Sequence, residues 1–177
     1  STINPLSPYA AAKASSLHLV DVYRNSFDIF CVTGIAFNHE SPLRPENFVT
    51  QKIVKGATEI FKGNKKKLTL GNIDISRDWG WAPEYVEAMN AMLTSESPKN
   101  YVISTGKLSK LSDFVELAFS YFDLDWKNHV EYSDQLKRPS DVIISGGDPS
   151  LVSVELNWSH RLSLEQIVEE MCKAAYM

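Results

Sequence analysis

The sequence is poor in cysteine and has no long apolar run, and each scarcity excludes a class of protein. Its 177 residues include two cysteines, Cys31 and Cys172, without a Cys-x-x-Cys spacing. A disulfide framework needs more cysteines, so this pattern favours free thiols in a reducing compartment. No apolar stretch approaches the roughly 18 residues of a membrane-spanning helix, and no signal-peptide pattern is present. We therefore expect a soluble, cytoplasmic protein that does not contact membranes.

Positive charge is also scarce. The net charge is −4 and the sequence pI is near 5.6, so the overall field favours neither nucleic acid nor an anionic membrane. The sequence shows no repeat, no low-complexity linker and no set of metal ligands, and 44% hydrophobic residues suffice for the core of one domain. The chain does not begin with methionine and opens directly onto a predicted helix, which is consistent with a piece of a longer protein.

A tyrosine and a lysine near the start of the chain form the first candidate for chemistry. Tyr9 and Lys13 stand four residues apart in a predicted helix over 8–26, so both side chains lie on the same helical face. A nearby ammonium stabilises a phenolate relative to the phenol, which makes a tyrosine a better acid or base. Pro8 suits the first helical position. A solvated helix face without chemistry is the alternative interpretation of this spacing.

The segment that follows this helix indicates the fold class. Residues 28–37 are apolar and rich in strand-forming types on both faces, which predicts a strand buried between helix layers of a parallel sheet. A helix followed by such a strand is half of a βαβ unit. In doubly wound α/β folds the ligand binds beyond the carboxyl ends of the strands. Asn38 and His39 follow the strand directly, so we expect a site in the loop over 38–45.

Residue Asn47 is a suitable N-cap for the next helix. The apolar positions of that helix recur at helical spacing, at Val49, Ile53, Ala57, Ile60 and Phe61. A helix N-terminus suits a phosphate-bearing ligand, and Lys52 could add a point charge. A plain amphipathic helix is the alternative.

Further elements follow at regular intervals. We predict strands over 68–70 and 101–104, helices over 82–93 and 109–122, and a last helix that begins at a capping box of Ser163 and Gln166. The side chains expected inward are Tyr85, Met89, Met92, Leu93, Phe114, Val115, Leu117, Ala118, Tyr121 and Phe122.

Arg77 is a candidate for gripping phosphate, because its planar guanidinium can donate two parallel hydrogen bonds. An ion pair with Asp78 or Glu84 is the competing interpretation.

Taken together, five motifs in this order resemble the extended short-chain dehydrogenase/reductase family, and within it the branch of the GDP-mannose 4,6-dehydratases. They are Ser-Pro-Tyr-Ala-Ala-Ala-Lys at 7–13, Phe-Asn-His-Glu-Ser-Pro at 37–42, Asn-Phe-Val-Thr-Gln-Lys-Ile at 47–53, Leu-Gly-Asn at 70–72 with Arg-Asp-Trp at 77–79, and Arg-Pro-Ser-Asp-Val at 138–142. The resemblance covers nearly all of residues 5–177, and the Asn-His-Glu-Ser-Pro block is specific to this branch.

This resemblance implies an α/β fold, the C-terminal part of a Rossmann-like extended short-chain dehydrogenase/reductase. Residues 1–37 would be the last helix and strand of an NADP-binding domain that is not complete in this sequence. Residues 38–177 would form mainly the sugar-nucleotide-binding domain, with about 82–105 returning to the sheet.

The resemblance also implies roles for individual residues. Tyr9 and Lys13 would be catalytic and would contact NADP, together with His39 and Arg44. The substrate-binding positions would be Asn38, Asn47, Lys52, Leu70, Gly71, Arg77, Arg138 and Asp141. Arg138 would reach the diphosphate and is the strongest substrate candidate. Asp141 stands where the family has glutamate, so its contact with a ribose hydroxyl is the least secure.

The implied reaction is the NADP-dependent conversion of GDP-mannose to GDP-4-keto-6-deoxymannose by a homo-oligomer. The family's glycine-rich turn, its threonine or serine and its glutamate base belong to a segment before residue 1, so we expect the isolated chain to be inactive. A sister reductase acting on the 4-keto sugar stays open as an alternative, as does a non-catalytic module that binds sugar nucleotides. The Asn-His-Glu-Ser-Pro block argues against a third alternative, another epimerase or dehydratase that uses a UDP-sugar.

Overall fold

The structure is a computed structural model that describes residues 3–136 and 142–177. Its first element is helix α1 (Pro8–Phe27), which confirms the helix predicted over 8–26. The Ser7 hydroxyl caps it by accepting a 3.1 Å hydrogen bond from the Ala10 N–H, and the helix ends at Asp28 in a left-handed conformation. None of its residues is buried. Local signals, rather than burial, therefore define this helix.

The strand after α1 is shorter and more exposed than its sequence predicts. Strand β1 (Thr33–Ala36) pairs in parallel with β6 (Asn100–Ile103), with Gly34 opposite Tyr101. The prediction of a strand buried on both faces is wrong, because Ile35 is 42% exposed. Within the described residues β1 pairs with β6 alone, and the side chains that face Gly34 come from Ile103 and from Met92 of α3 (Ala82–Leu93).

The remaining strands form small pairs and one triplet. Strand β2 (Asn38–Glu40) pairs in parallel with β5 (Trp79–Trp81), and β3 (Leu68–Leu70) pairs in parallel with β8 (Val130–Tyr132). Strand β4 (Ser76–Arg77) lies between an antiparallel β7 (Ser109–Lys110) and a parallel β9 (Ile144–Ser145). The other helices are α2 (Val49–Phe61), α4 (Leu111–Ser120), α5 (Ser150–Leu156) and α6 (Leu164–Tyr176). Short 3₁₀ turns cover Trp126–Asn128 and Asp134–Leu136.

The larger hydrophobic core lies where α2, α4 and α6 pack together against β3, β5 and β8. Its fully buried side chains include Ile53, Phe114 and Ile167. The inward face predicted for α2 is confirmed except at its two ends, where Val49 and Phe61 are exposed. The capping box of α6 is confirmed as well, since the Ser163 N–H donates to Gln166 Oε1 at 2.9 Å and the Gln166 N–H donates to Ser163 Oγ at 3.4 Å.

A smaller core joins α3, α5 and β6. Tyr85 and Met92 of α3 are buried in it as predicted, but Met89 and Leu93 are exposed and Ala88 is buried instead. The predicted helical spacing is therefore correct, but the buried face of α3 is rotated relative to the predicted face. The positions of α5 and β6 determine which face of α3 is covered. In α4 the expected Phe114, Val115 and Ala118 are buried, whereas Tyr121, just beyond its end, is exposed.

Candidate functional site

A cavity of about 390 Å³ opens between the end of β2, the start of α2, and the ends of β3 and β4. Its charged lining residues are Glu40, Arg44, Lys52 and Arg77, and its amide lining residues are Asn38, Asn47 and Asn72. Apolar, aromatic and small residues complete the wall, namely Phe48, Val49, Thr50, Leu70, Gly71, Ile75, Trp79, Leu111 and Leu136. Within residues 3–136 and 142–177, three cations and one acid thus line a space large enough for part of a nucleotide.

Most of the residues predicted to bind ligand line this one cavity. They are Asn38, Arg44, Asn47, Lys52, Leu70, Gly71 and Arg77, which are separated by up to 39 positions in the sequence. Arg138 and Asp141 lie outside the described residues.

Parallel pairing explains why these distant residues meet. In β2 and β5 the register sets Asn38 opposite Trp79 and Glu40 opposite Trp81, so both strands present their carboxyl ends at the same edge. Just after β3, a Cβ atom at Gly71 would lie 2.8 Å from the carbonyl oxygen of Leu136. Only glycine permits this close approach, which brings the 3₁₀ turn at Asp134–Leu136 to the cavity wall.

The prediction that Asn47 caps α2 is wrong. The N-cap is Phe48, no side chain caps the helix, and the first helical residue is Val49. Two turns delay the start of the helix, since the Arg44 N–H donates to the Ser41 carbonyl at 3.0 Å and the Phe48 N–H donates to the Pro45 carbonyl at 3.1 Å. Asn47 nevertheless lines the cavity.

A buried carboxylate that the sequence analysis assigned no role lies in the cavity wall. Glu40 ends β2 and is 0% exposed, and its Oε2 accepts a 2.7 Å hydrogen bond from the Thr50 hydroxyl in the first turn of α2. Burial raises the pKa of the Glu40 carboxyl above its ordinary value, while the Thr50 hydrogen bond and the Arg44 charge oppose the rise. The signal in the sequence was an acid at a strand end, four residues before an arginine.

Arg44 is held from several directions. Its Nε lies 3.5 Å from Glu40 Oε2, and its Nη1 donates to the His39 carbonyl at 3.2 Å. The guanidinium carbon lies 3.9 Å from the ring centroid of Phe48, a cation–π distance. The guanidinium therefore has a defined position in the cavity wall.

The other two cations of the cavity contact backbone carbonyls. Lys52 Nζ donates to the Thr69 carbonyl at 2.7 Å, and Arg77 Nη1 donates to the Ser76 carbonyl at 2.9 Å and to the Ile143 carbonyl at 3.4 Å. These contacts direct both side chains along the cavity wall.

The two acids considered as partners of Arg77 bind other groups. Asp78 is 0% exposed and accepts hydrogen bonds from the Thr105 N–H, the Thr105 hydroxyl and the Gly106 N–H at 2.7–2.8 Å. Glu84, also buried, accepts from the backbone N–H groups of Arg161 and Leu162 at 3.2 Å. Each carboxylate thus links its own segment to a backbone segment that is distant in the sequence, at 105–106 for Asp78 and at 161–162 for Glu84.

The remaining predicted residues, Tyr9, Lys13 and His39, do not line the cavity. Lys13 Nζ lies 5.6 Å from the ring centroid of Tyr9, so the helix places the two side chains together as its spacing predicts. Tyr9 is 72% exposed. The His39 Nδ1 atom lies 2.8 Å from the Phe37 carbonyl oxygen, and its ring contacts that of Tyr85 at 5.2 Å between centroids.

Both cysteines are free, as expected. Among residues 3–136 and 142–177, no helix is long and apolar enough to cross a membrane. The same two ranges contain no group of three or more His, Cys, Asp or Glu side chains that could hold a metal ion.

Comparison with known proteins agrees with the motifs. The family model described as GDP-mannose 4,6 dehydratase matches residues 1–171. GDP-mannose 4,6 dehydratase 1 of Arabidopsis thaliana is 42% identical over 168 residues, covering 95% of this chain and 46% of the relative. The GDP-mannose 4,6 dehydratase of Homo sapiens is 37% identical over 187 residues, covering 96% and 50%. The chain spans about half the length of the curated relatives it matches.

Solved structures share the fold. The structure of RMD from Pseudomonas aeruginosa complexed with NADPH superposes with a TM-score of 0.90 at 18% identity, covering 98% of this chain and 57% of that one. The dTDP-glucose 4,6-dehydratase from Bacillus anthracis in complex with NAD gives a TM-score of 0.84 at 20% identity, covering 97% and 52%. The predicted fold class, α/β and the C-terminal portion of a Rossmann-like extended short-chain dehydrogenase/reductase, is confirmed.

Proposed function

The chain belongs to the GDP-mannose 4,6-dehydratase family, and from this membership we propose that it forms the sugar-nucleotide-binding part of an enzyme that converts GDP-mannose to GDP-4-keto-6-deoxymannose. The observation that carries the proposal is the cavity, where seven positions matching the family's ligand contacts meet. Among the described lining residues, Arg44, Lys52 and Arg77 are cationic and Glu40 is acidic, and guanidinium and ammonium groups are the side chains that suit a diphosphate. Asn38, Asn47 and Asn72 supply amides that can bind base or sugar hydroxyls.

We propose that residues 1–37 belong to the NADP-binding domain and residues 38–177 mainly to the sugar-nucleotide-binding domain, with about 82–105 returning to the sheet. The parallel pairing of β1 with β6 supports this division, as does the smaller core that α3 forms with β6. The cavity and the larger core lie in the second part.

In the complete enzyme the Tyr9 phenolate, stabilised by the nearby Lys13 ammonium, would accept the proton of the sugar's C4 hydroxyl and become the neutral phenol. Their positions fit this role, since Lys13 Nζ is 5.6 Å from the Tyr9 ring and both side chains share one face of α1. NADP would supply the hydride chemistry of this conversion at C4 and C6, around the loss of water across C5 and C6. His39 and Arg44 are the further proposed NADP contacts.

Two further features concern the complete protein. We propose a homo-oligomer, because α1 exposes Leu19, Val22, Tyr23 and Phe27 to solvent and exposed apolar patches mark interaction sites. We propose a cytoplasmic location on the basis of the free thiols and the composition.

Calorimetric titration of this chain with GDP, GDP-mannose, UDP-glucose and NADP separately tests the proposal. We expect the two guanosine ligands to bind, UDP-glucose to bind at least about tenfold more weakly, and NADP to show no binding, because the contacts that the family supplies before residue 1 are not in this sequence. No binding of GDP, or a preference for UDP-glucose, would contradict the assignment of the cavity to a GDP-sugar.

Turnover is the second measurement. We expect no conversion of GDP-mannose by this polypeptide as the sole protein with NADP present. Measurable product would show that the acid and base chemistry is complete within residues 1–177.

A further inference from the structure

Glu40 poses an electrostatic problem for the proposed ligand. It is a fully buried acid in the wall of a cavity proposed to take an anionic diphosphate. A carboxylate in this wall would repel a phosphate bound in the cavity unless a cation lay between them. The cation in contact with Glu40 is Arg44.

Glu40 connects three parts of the cavity wall. From the end of β2 its Oε2 accepts the Thr50 hydroxyl hydrogen bond at 2.7 Å and lies 3.5 Å from Arg44 Nε. Thr50 is itself 1% exposed in the first turn of α2, so it cannot move freely. The contact with Arg44 is an ion pair without a hydrogen bond, so the carboxylate attracts the Arg44 guanidinium from a position that Thr50 and the end of β2 define.

The contacts of Arg44 leave one edge of its guanidinium available. Nε faces Glu40, Nη1 donates to the His39 carbonyl, and the plane rests on the Phe48 ring. Within residues 3–136 and 142–177, Nη2 makes no hydrogen bond. Because Arg44 lines the cavity, this edge is the part of the side chain left for a ligand.

We propose that Glu40 is a positioning residue that holds Arg44 so that its guanidinium edge meets a phosphate group of the bound nucleotide. This inference rests on the proposed function, since it requires a phosphate-bearing ligand in the cavity. Arginine loses much side-chain entropy when it binds, and an arginine that is already fixed pays less of that cost, so affinity rises. Glu40 does not touch the ligand in this arrangement; it acts through Arg44.

The Glu40→Gln variant tests the role, since glutamine keeps the size and a hydrogen-bond acceptor but removes the charge. We expect it to bind GDP about five- to tenfold more weakly and to bind guanosine, which has no phosphate, as the wild type does. Glu46→Gln is the matched control, an acid-to-amide change in the same loop at an exposed residue that pairs with Lys55 and does not line the cavity. Because this chain alone is expected not to bind NADP, GDP affinity is the readout, and an unchanged GDP affinity would overturn the inference.

A double-mutant cycle separates positioning from a purely structural role. In an Arg44→Met background, Glu40→Gln should change GDP affinity by less than about twofold, because its effect passes through Arg44. The inference would be overturned if Glu40→Gln weakened the binding of GDP and of guanosine equally. It would also be overturned if the loss of GDP affinity persisted in the Arg44→Met background.

Should Glu40→Gln fail to fold, Thr50→Val removes the hydrogen bond that holds the carboxylate from α2. This variant should bind GDP about two- to threefold more weakly, the effect expected for the loss of one hydrogen bond, and its affinity for guanosine should not change. Unchanged GDP affinity would overturn the inference. Wild-type protein that does not bind GDP would overturn the proposed function and this inference with it, whereas an unchanged GDP affinity in Glu40→Gln overturns the inference alone.

Discussion

Helices α1 and α4 are both evident in the sequence, yet they are stabilised in different ways. Helix α1 has 20 residues and none is buried, whereas the 10-residue α4 buries Leu111, Phe114, Val115, Ala118 and Phe119. The Ser7 cap, Pro8 and a run of alanines favour α1 locally. Most helical stability in proteins comes from tertiary packing, so α1, which buries no residue, should open far more easily than α4.

The two regions also carry different parts of the proposed chemistry. The Tyr9–Lys13 pair lies on the exposed helix, and the cavity lies beside the packed core of α2, α4 and α6. Ligand binding at the cavity should therefore survive changes in α1, and global stability should depend on the core. Four measurements test this contrast, from the largest expected effect to the smallest.

Phe114→Ala in α4 should destabilise the protein by about 3–5 kcal/mol, because it removes a fully buried aromatic ring that packs against Trp79 at 5.7 Å between centroids. Leu19→Ala in α1 is the matched change at a side chain that is 57% exposed, and it should cost less than about 0.5 kcal/mol. Urea unfolding monitored by circular dichroism measures both. Similar losses would show that α1 is as integral to the fold as α4.

The two cysteines report on the same contrast through their reactivity. Burial raises the pKa of Cys172 to about 12, and the thiolate is the reactive form. Cys31, between α1 and β1, is only half-buried. With a chromogenic disulfide reagent at pH 8, we expect Cys31 to react at least about a hundredfold faster than Cys172. Cys172 should react only when unfolding exposes its thiol. Two thiols reacting at one rate would mean that the α6 region opens as readily as the α1–β1 segment.

Arg77→Gln should weaken GDP binding about tenfold, the loss expected for one arginine–phosphate contact. Lys66→Gln is the control, since it removes a cation from an exposed turn that does not line the cavity. Calorimetry gives both affinities. A comparable loss in the control would indicate general electrostatic attraction rather than a contact in the cavity.

Tyr9→Phe should have the smallest effect on this chain. Because Tyr9 is mostly exposed and does not line the cavity, we expect its free energy of unfolding to change by less than about 0.5 kcal/mol and its GDP affinity to stay unchanged. Weaker GDP binding would place the tyrosine at the cavity and would reduce the contrast between the two regions.

Local chemistry explains which parts of the fold were predictable. The Ser7 cap, the Ser163–Gln166 capping box and the apolar spacing of α2 act over a few residues, so short-range reasoning finds them. The predicted N-cap at Asn47 failed because a turn that joins the Phe48 N–H to the Pro45 carbonyl leads the chain into α2 one residue later, with Phe48 as the N-cap. The buried face of α3 differs from the predicted face because the neighbouring elements α5 and β6, and not the helical spacing of α3, determine which side chains are covered.

The residues proposed to bind ligand were predictable for a different reason: motif resemblance identified them, and the fold brings seven of them together at the cavity. The sequence by itself determined the α/β class, the helices with strong caps and the set of polar residues at Asn38, Lys52 and Arg77. Only the tertiary structure decided that Glu40 would be buried against Thr50 and Arg44, that Asp78 would bind the loop at Thr105, and that β1 would be exposed. Burial and long-range hydrogen bonds depend on which segments meet, and no short window of the sequence contains both partners.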